Sequence, residues 1–561
     1  MAIVENSGKT KNPAGFDVYN DNSSEQKDTV AELIKDYNSL RSAKGTLNSH
    51  CREIAERILP DDKDLFYDES NKNTTQGDKR NQEVYDSTGI IALERFAAIV
   101  DSLLTPRSGF WHNLRPSDKT LQKNKQVQDY FQEVNEILFD ERYAPNANFT
   151  SQNQMQYMSL GAYGTGSMFI DDLFGSPGLR YRNIHLSELF MQQNHQGLVD
   201  RVCRSFTLTA RAAIKMFGDS LPETIKSQEK VDSDKEYTFL HWVIPREDRD
   251  PLRLDFRGMP FASYYISIEG NKLLTEGGYS TFPYATSRYR QAVREAYGRS
   301  IAMNVLPAIK TLNEQKKTLL KQGHLATDPI ILAYDDGVID LYDGVPGSLV
   351  PGGVSKDGRL LVQPMPVGRV DIGKEFMDDE RALINDSFLV TLFQILVETP
   401  EMTATEVLER TREKGILLAP TIGRQQSEYL GPMIEREIDI LARQNKLPEQ
   451  PRILREAEGE FKIIYDSPLT RTQKSEWAAG AMRTMEQLLN IANITQDPTP
   501  LFYLNLDIVA PQLAEINGTP STWINSPEKV KQMKAALAEQ KQQQTMIEAA
   551  PAAAGMMKAM K

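Results

Sequence analysis

Cysteine is almost absent: Cys51 and Cys203 are the only two in 561 residues. Two thiols cannot build a disulfide framework or the cysteine set of a structural zinc site, and their scarcity points to assembly in a reducing interior. Long apolar runs are missing as well. Mean hydropathy is −0.47, and no stretch approaches the ~20 apolar residues of a membrane helix, so a soluble chain with no membrane partner is expected. The first 27 residues lack the apolar core of a signal peptide and are rich in Asn, Ser, Asp and Lys, which reads as a flexible arm. Surplus positive charge is lacking too. With 65 Lys and Arg against 77 Asp and Glu, the net charge is −12. That argues against a polybasic surface that grips nucleic acid and leaves room for weak, sliding contact.

The usual signatures of catalysis are also missing. Ser7-Gly8-Lys9-Thr10 ends like a phosphate-binding loop, but Ile3 stands where that loop needs glycine, and no strand precedes it. Gly161-Ala162-Tyr163-Gly164-Thr165-Gly166 lies between a helix and a strand in the reverse of the dinucleotide order, so it reads as a tight connection. The six histidines, His50, His112, His185, His195, His241 and His324, form no metal-binding pair. No Gly-x-Ser-x-Gly elbow exists. Asp335, Asp336, Asp340 and Asp343 lack the alternation of a calcium loop and read as turn residues. Trp111, Tyr264, Tyr265, Tyr279 and Tyr289 read as packing aromatics rather than as a base-stacking platform. No catalytic residue, cofactor or metal site is expected.

What the chain does have is enough apolar sequence, 40%, to bury a sizeable core in several lobes. Helical spacing runs from Thr29 to Leu59, where Pro60 stops it, and again from Asp86 or Ser87 to Leu104. Further helices are expected over Gln126 to Phe139 and Phe149 to Leu160. The β-branched and aromatic bias of strands then appears in Ser167–Leu173, Gly178–Asn183, Gly197–Phe206, Tyr237–Pro245 and Ala262–Ile268, interrupted by a short helix from Thr209 to Phe217. This is an α+β pattern, not alternating βα units.

The centre is more distinctive. A helix from Ile301 to about Gln322, kinked at Pro307 and ended by Gly323, is followed by a second from about Phe376 to Val397. Between them, Ala326 to Arg369 holds seven Gly and five Pro in 44 residues. This density predicts short strands, Ile330–Tyr334, Val338–Tyr342 and Arg359–Gln363, joined by turns. Thr403-Ala404-Thr405-Glu406 fits a capping box opening a third helix, broken at Gly415 and Pro420 and closed by Pro448. A strand at Phe461–Tyr465, helices over Thr472–Ile494 and Leu501–Ile516, and a polar C-terminal tail complete the pattern. Two helical struts around a small β-rich knob leave apolar stripes that neighbouring copies can cover.

Six segments occur in a telling order: Arg52-Glu53-Ile54-Ala55-Glu56-Arg57-Ile58-Leu59-Pro60, Tyr85-Asp86-Ser87-Thr88-Gly89, Leu104-Thr105-Pro106-Arg107-Ser108-Gly109-Phe110-Trp111, Tyr297-Gly298-Arg299-Ser300, Thr403-Ala404-Thr405-Glu406-Val407 and Gly431-Pro432-Met433-Ile434-Glu435-Arg436-Glu437. Together they resemble the head-to-tail connector, or portal, proteins of short-tailed bacteriophages, from roughly Asp28 to Ile494. The resemblance implies a ring of about twelve subunits at one capsid vertex. It implies an α+β portal fold: an arm (1–27), wing (28–284), stem helix (285–325), clip (326–369), second stem helix (370–397), channel loop (398–402), wing helix and strand (403–470), crown (471–526) and tail (527–561). Glu398, Thr399, Pro400, Glu401 and Met402 would face double-stranded DNA in the lumen. Asp335, Asp336, Asp340, Asp343, Lys356 and Arg359 of the clip would meet the terminase large subunit during packaging and tail adaptor or nozzle proteins afterwards. Major capsid and scaffolding proteins are the other implied partners, and the virion, assembled in the host bacterial cytoplasm, the implied location. The residues alone leave two alternatives open: a non-viral oligomeric scaffold, or an enzyme with a motif-free active site.

Overall fold

A computed structural model describes residues 24–67, 77–333, 354–391 and 420–540, apart from 108, 119, 174–175, 229–230, 254, 367–369, 457–459, 466–467 and short runs between 497 and 528. The described residues fall into two compact units. One comprises those up to Ser102 with Pro145–Ile440; the other comprises Leu103–Ala144 and those from Leu441 onward.

The first unit opens with two helices, α1 (Ser24–Ala43) and α2 (Gly45–Ile58), then α3 (Thr88–Leu104) and α4 (Phe149–Tyr163). Asp86 accepts the Thr88 N–H at 3.0 Å, the side-chain cap expected before α3. Gly164 ends α4 in the left-handed conformation, φ 78, and a Cβ there would lie 2.5 Å from the Arg299 backbone, so only glycine fits this connection.

Eight antiparallel strands follow: β1 (Thr165–Asp172), β2 (Leu179–Ile184), β3 (Leu189–Gln193), β4 (Val199–Thr209), β5 (Glu236–Pro245), β6 (Phe261–Ser267), β7 (Lys272–Tyr279) and β8 (Tyr284–Arg288). They form a three-stranded sheet, β2-β1-β8, and a five-stranded meander, β3-β4-β5-β6-β7. Alternation along the strands sends Cys203, Leu240 and Trp242 to one face, against Val30, Leu33 and Tyr37 of α1. It sends Phe206 and Phe239 to the other face, against Phe217 and Ala213 of α5 (Ala210–Phe217). The meander is thus covered by a helix on each side, and its members are neighbours in sequence, as an α+β fold requires.

All five expected strands are present; β3, β7 and β8 were not anticipated. Unlike the Val- and Ile-bearing segments, β7 contains Gly277-Gly278, where a Cβ at Gly278 would meet the Phe256 carbonyl at 2.7 Å. Two long helices follow. α6 (Ile301–Thr327) runs through both Pro307 and Gly323 rather than ending at the glycine, which sits where a Cβ would meet nothing. After the short ladder of β9 (Ile331–Ala333) with β10 (Val362–Pro364), α7 (Val370–Ser387) begins six residues before the expected start. It also stops earlier: Leu389 adopts φ 64, and the N–H of Leu389 turns back to the Asp386 carbonyl at 3.0 Å. Residues 392–419, with the capping box and Gly415, lie outside the described residues.

Helix returns at residues 420–425, widens to a π-turn at Gln426–Leu430, and continues as α8 (Gly431–Arg443). Its polar side chains pin it to the sheets. Glu428 receives the Arg288 guanidinium at 2.7 and 3.1 Å and the Arg288 N–H at 3.0 Å. The buried Arg436 reaches Asp439 at 3.0 Å and Asp171 at 3.6 Å, and buried Glu437 accepts the Tyr181 hydroxyl at 2.5 Å.

In the second unit, a helix at Lys125–Tyr143 is capped by Asn124, whose side chain accepts the Gln126 N–H at 2.9 Å. Strand His112–Pro116 pairs antiparallel with Phe461–Tyr465, Leu114 opposite Ile463. Trp111 is buried beside Phe139 and donates to the Tyr143 hydroxyl at 3.2 Å. Helices at Pro468–Thr495 and Leu506–Ile516 follow. Among the described residues no helix is long and apolar enough to cross a membrane.

Candidate functional site

Among the described residues, nothing in the interior has the organisation of a reaction centre. Cys203 is wholly buried and its thiol is pushed far up by burial; burial likewise lifts Cys51, to about 12, against the pull of the Lys44 charge. Neither thiol is a nucleophile. His241, stacked on Tyr265 with centroids 4.2 Å apart, sits between the Tyr284 hydroxyl at 2.7 Å and the Ser263 hydroxyl at 3.0 Å. Burial, with the Arg204 charge adding to it, lowers it to about 3, so it is a neutral core group. Ser187, His185 and Asp62 form a hydrogen-bonded chain at 2.8 and 3.2 Å. However, the same Nδ1 also accepts the Ser187 backbone N–H, so the histidine caps a short turn. The described residues hold no cluster of metal-ligating side chains. Trp111, Tyr265 and Tyr279 are buried, so they pack rather than stack on bases.

The feature with functional form is the α6–α7 pair. Its root is built into the body. Ser300 caps α6 by accepting the Met303 N–H at 2.9 Å, and the stripe Ile301, Val305, Leu306, Ile309 and Leu312 is buried. Lys310 pairs with Glu53 of α2. Both helices then converge on the loop that opens α3. Asn313 accepts the Tyr85 N–H at 2.7 Å and donates to the Glu83 carbonyl at 2.9 Å, while Arg381 of α7 reaches Asp86 at 2.6 Å. Burial alone would raise the Asp86 carboxyl; the hydrogen bonds from Thr88 and Arg381 outweigh it and hold it below its ordinary value. Asp86 was expected as a cap; its second task, tying α7 to α3, was not. The only sequence hint was an acidic cap with a spare carboxylate oxygen.

Beyond Leu312 the surroundings fall away. Gly373 lets the helices approach, since a Cβ there would meet Leu319 at 3.2 Å. An open groove of about 590 Å³ lies beside that contact, lined by Thr311, Gln315, Thr318 and Phe376 among others. Phe376 is 58% exposed and Leu383 53%, with Leu320 and Leu325 also on the surface. The β9–β10 ladder exposes Ile330, Leu332, Val354, Leu360 and Met365. A two-stranded ribbon is marginal alone, so a surface this apolar is built to be covered. Lys356 and Arg359 are exposed on its hairpin, where Gly358 takes φ 78 and the Ser355 N–H donates to the Arg359 carbonyl at 2.8 Å. Asp335, Asp336, Asp340 and Asp343 lie outside the described residues, as do Glu398, Thr399, Pro400, Glu401 and Met402.

Comparison with known proteins gives the family of the chain. The portal protein of Salmonella phage epsilon15 is 26% identical over 533 residues, 91% of each chain. The probable portal protein of Bordetella phage BPP-1 is 28% identical over 461 residues, 79% of this chain and 80% of its own. The sequence profile of the bacteriophage head to tail connecting proteins matches residues 30–524. Spanning nearly the whole sequence, that match means the chain belongs to the family of bacteriophage head to tail connecting proteins, which are structural virion components and not enzymes.

Proposed function

We propose that copies of this chain close into a ring at one vertex of the phage head and form the channel through which double-stranded DNA is packaged and ejected. The observation that carries this reading is the α6–α7 pair: anchored at its root, it carries large apolar side chains, Phe376, Leu383 and Leu320, into solvent in the single chain. A neighbouring copy supplies the missing cover, and repetition of one such contact closes a ring. The net charge of −12 suits a conduit, because lysine–phosphate contacts along a channel would add affinity and friction.

In this reading the apolar ribbon with Lys356 and Arg359, and the neighbouring Asp335, Asp336, Asp340 and Asp343, dock the terminase large subunit during filling and tail adaptor proteins afterwards. Glu398 to Met402 project into the lumen, where the carboxylates of Glu398 and Glu401 repel phosphate. Assembly takes place in the host cytoplasm with capsid and scaffolding proteins. The driving ATPase is a separate protein, so the isolated ring hydrolyses no ATP.

The deciding measurement is native mass spectrometry with electron microscopy of the purified full chain. Twelve copies of 63.4 kDa give about 760 kDa and an image with a central hole. A stable monomer under capsid-building conditions, or a closed particle without a hole, overturns the proposal. Glu398→Lys with Glu401→Lys tests the lumen placement separately: packaging slows or DNA is retained, and unchanged packaging and ejection refute it.

A further inference from the structure

The two helices of the projecting pair carry opposite charge. From Lys310 to Thr327, α6 has four lysines against one glutamate, whereas α7 has six carboxylates against two cations. On α7, Glu375, Asp379 and Asp386 follow at spacings of four and seven, which places them on one stripe opposite buried Met377 and Ile384. All three are exposed and form no ion pair among the described residues. Phe376 and Leu383 border the stripe. On α6, Lys316, Lys317 and Lys321 surround exposed Leu320, on the side turned away from Thr311 and Thr318, which line the groove.

We propose that these two faces are partners: the basic, Leu320-centred face of α6 on one copy meets the acidic, Phe376- and Leu383-bordered face of α7 on the next. This rests on the ring reading and adds to it which helix meets which. A two-fold contact through α6 sets lysines against lysines, and one through α7 sets carboxylates against carboxylates. Both are repelled. The α6-to-α7 contact alone matches sign and buries the apolar residues of both faces. It is heterologous, the kind that closes into rings rather than stopping at a dimer.

Charge reversal on one face at a time tests this in the full chain. One variant carries Lys316→Glu and Lys321→Glu; the other carries Glu375→Lys and Asp379→Lys. Among the described residues none of these four side chains has a hydrogen bond or ion pair. Each variant alone has like charges at every contact and stays monomeric. Mixed in equal amounts, the two assemble into rings containing both in a one-to-one ratio, because only alternating neighbours match; the variant reversed on both faces assembles alone. Circular dichroism establishes that each is folded, and the milder pair Lys321→Glu and Asp379→Lys repeats the comparison with less perturbation. Assembly of the one-sided variants at native salt tolerance overturns the pairing and leaves the ring reading standing. Failure of the folded mixture to assemble also overturns it. If the native chain itself forms no ring, the ring reading falls and the pairing with it.

Discussion

The two halves of α6 lie on one continuous helix and obey opposite rules. Up to Asn313 its apolar stripe is buried, Lys310 is paired with Glu53, and Asn313 is fixed by the Tyr85 N–H and the Glu83 carbonyl. Beyond Asn313 the leucines at 320 and 325 are exposed, and Lys316 and Lys321 lack a fixed partner among the described residues. The first half derives its stability from this chain. In the proposed ring the second is covered by a neighbouring copy. Substitutions should therefore separate into those that unfold the chain and those that leave it folded but solitary.

The largest loss of fold is expected at Arg436→Ala in the body. It strips Asp439 of its guanidinium at 3.0 Å and empties a fully buried position, so a cost of about 3–5 kcal/mol is expected, read as a fall in the thermal midpoint. A wild-type midpoint would show that the body is not held together from within.

At the root, Arg381→Ala or Asp86→Asn should cost about 1–3 kcal/mol, because a charge-assisted bond is lost from a mostly buried carboxylate. The pH dependence has a definite sign. The folded carboxyl lies below its ordinary value, so its contribution is fully present above about pH 4 and disappears as pH falls through the depressed value. Asp86→Asn should remove that part of the acid sensitivity; an identical acid profile would show that the Arg381 contact does not matter.

Lys44 gives an effect of the same sign in a higher pH window. Buried between α1 and α2, its amine lies 2.6 Å from the Leu189 carbonyl, also bonds the Leu186 carbonyl, and stands 4.5 Å over the Phe190 ring. Burial lowers it to about 7 from 10.5, partly offset by Cys51. Between those values the unfolded chain binds the extra proton, so stability rises with pH across that window, and the cost of charging the amine is fully felt below about 7. Lys44→Met should flatten this slope in thermal melts at pH 7 to 10. A slope that persists would show that another group titrates.

The smallest effect on the chain itself is expected at Phe376→Ser. An exposed site changes monomer stability by only ~0.5 kcal/mol, yet the same change should weaken the ring, read as a shift of mass toward monomer. Equal effects on both would erase the contrast between the two halves of the helix.

Much of the body was legible because strands rich in Val, Ile and aromatics declare themselves, and the register Val202 to Val243 and Phe206 to Phe239 pairs like with like. The glycines misled. Gly323 reads as a terminator yet lies within α6, and Gly373, ahead of the expected helix start at Phe376, lies in α7, where a Cβ would meet Leu319 at 3.2 Å. Apolar spacing through Ile384, Phe388 and Leu392 concealed the turn at Leu389, since periodicity reports a face and not a backbone angle. The Asp86–Arg381–Asn313 junction was illegible because Asp86 lies more than 200 residues from both of its partners. The stripes expected to lie uncovered, Ile301 to Leu312 and Ile384 with Phe388, are buried within the chain, and the faces the struts do expose carry Leu320, Leu325, Phe376 and Leu383 instead. Their opposite signs emerge only once the buried side of each helix is known.

The π-turn at Gln426–Leu430 has a consequence of its own. A helix wound five residues to the bond has taken in one residue more than its neighbours' geometry needs, which is how a single-codon insertion is absorbed without unravelling. Deleting Ser427 would restore the ordinary winding while leaving the flanking stretches of helix in phase. Glu428 lies within the widened turn, so the deletion would displace it from Arg288 and cost that ion pair while the flanking helix keeps its place.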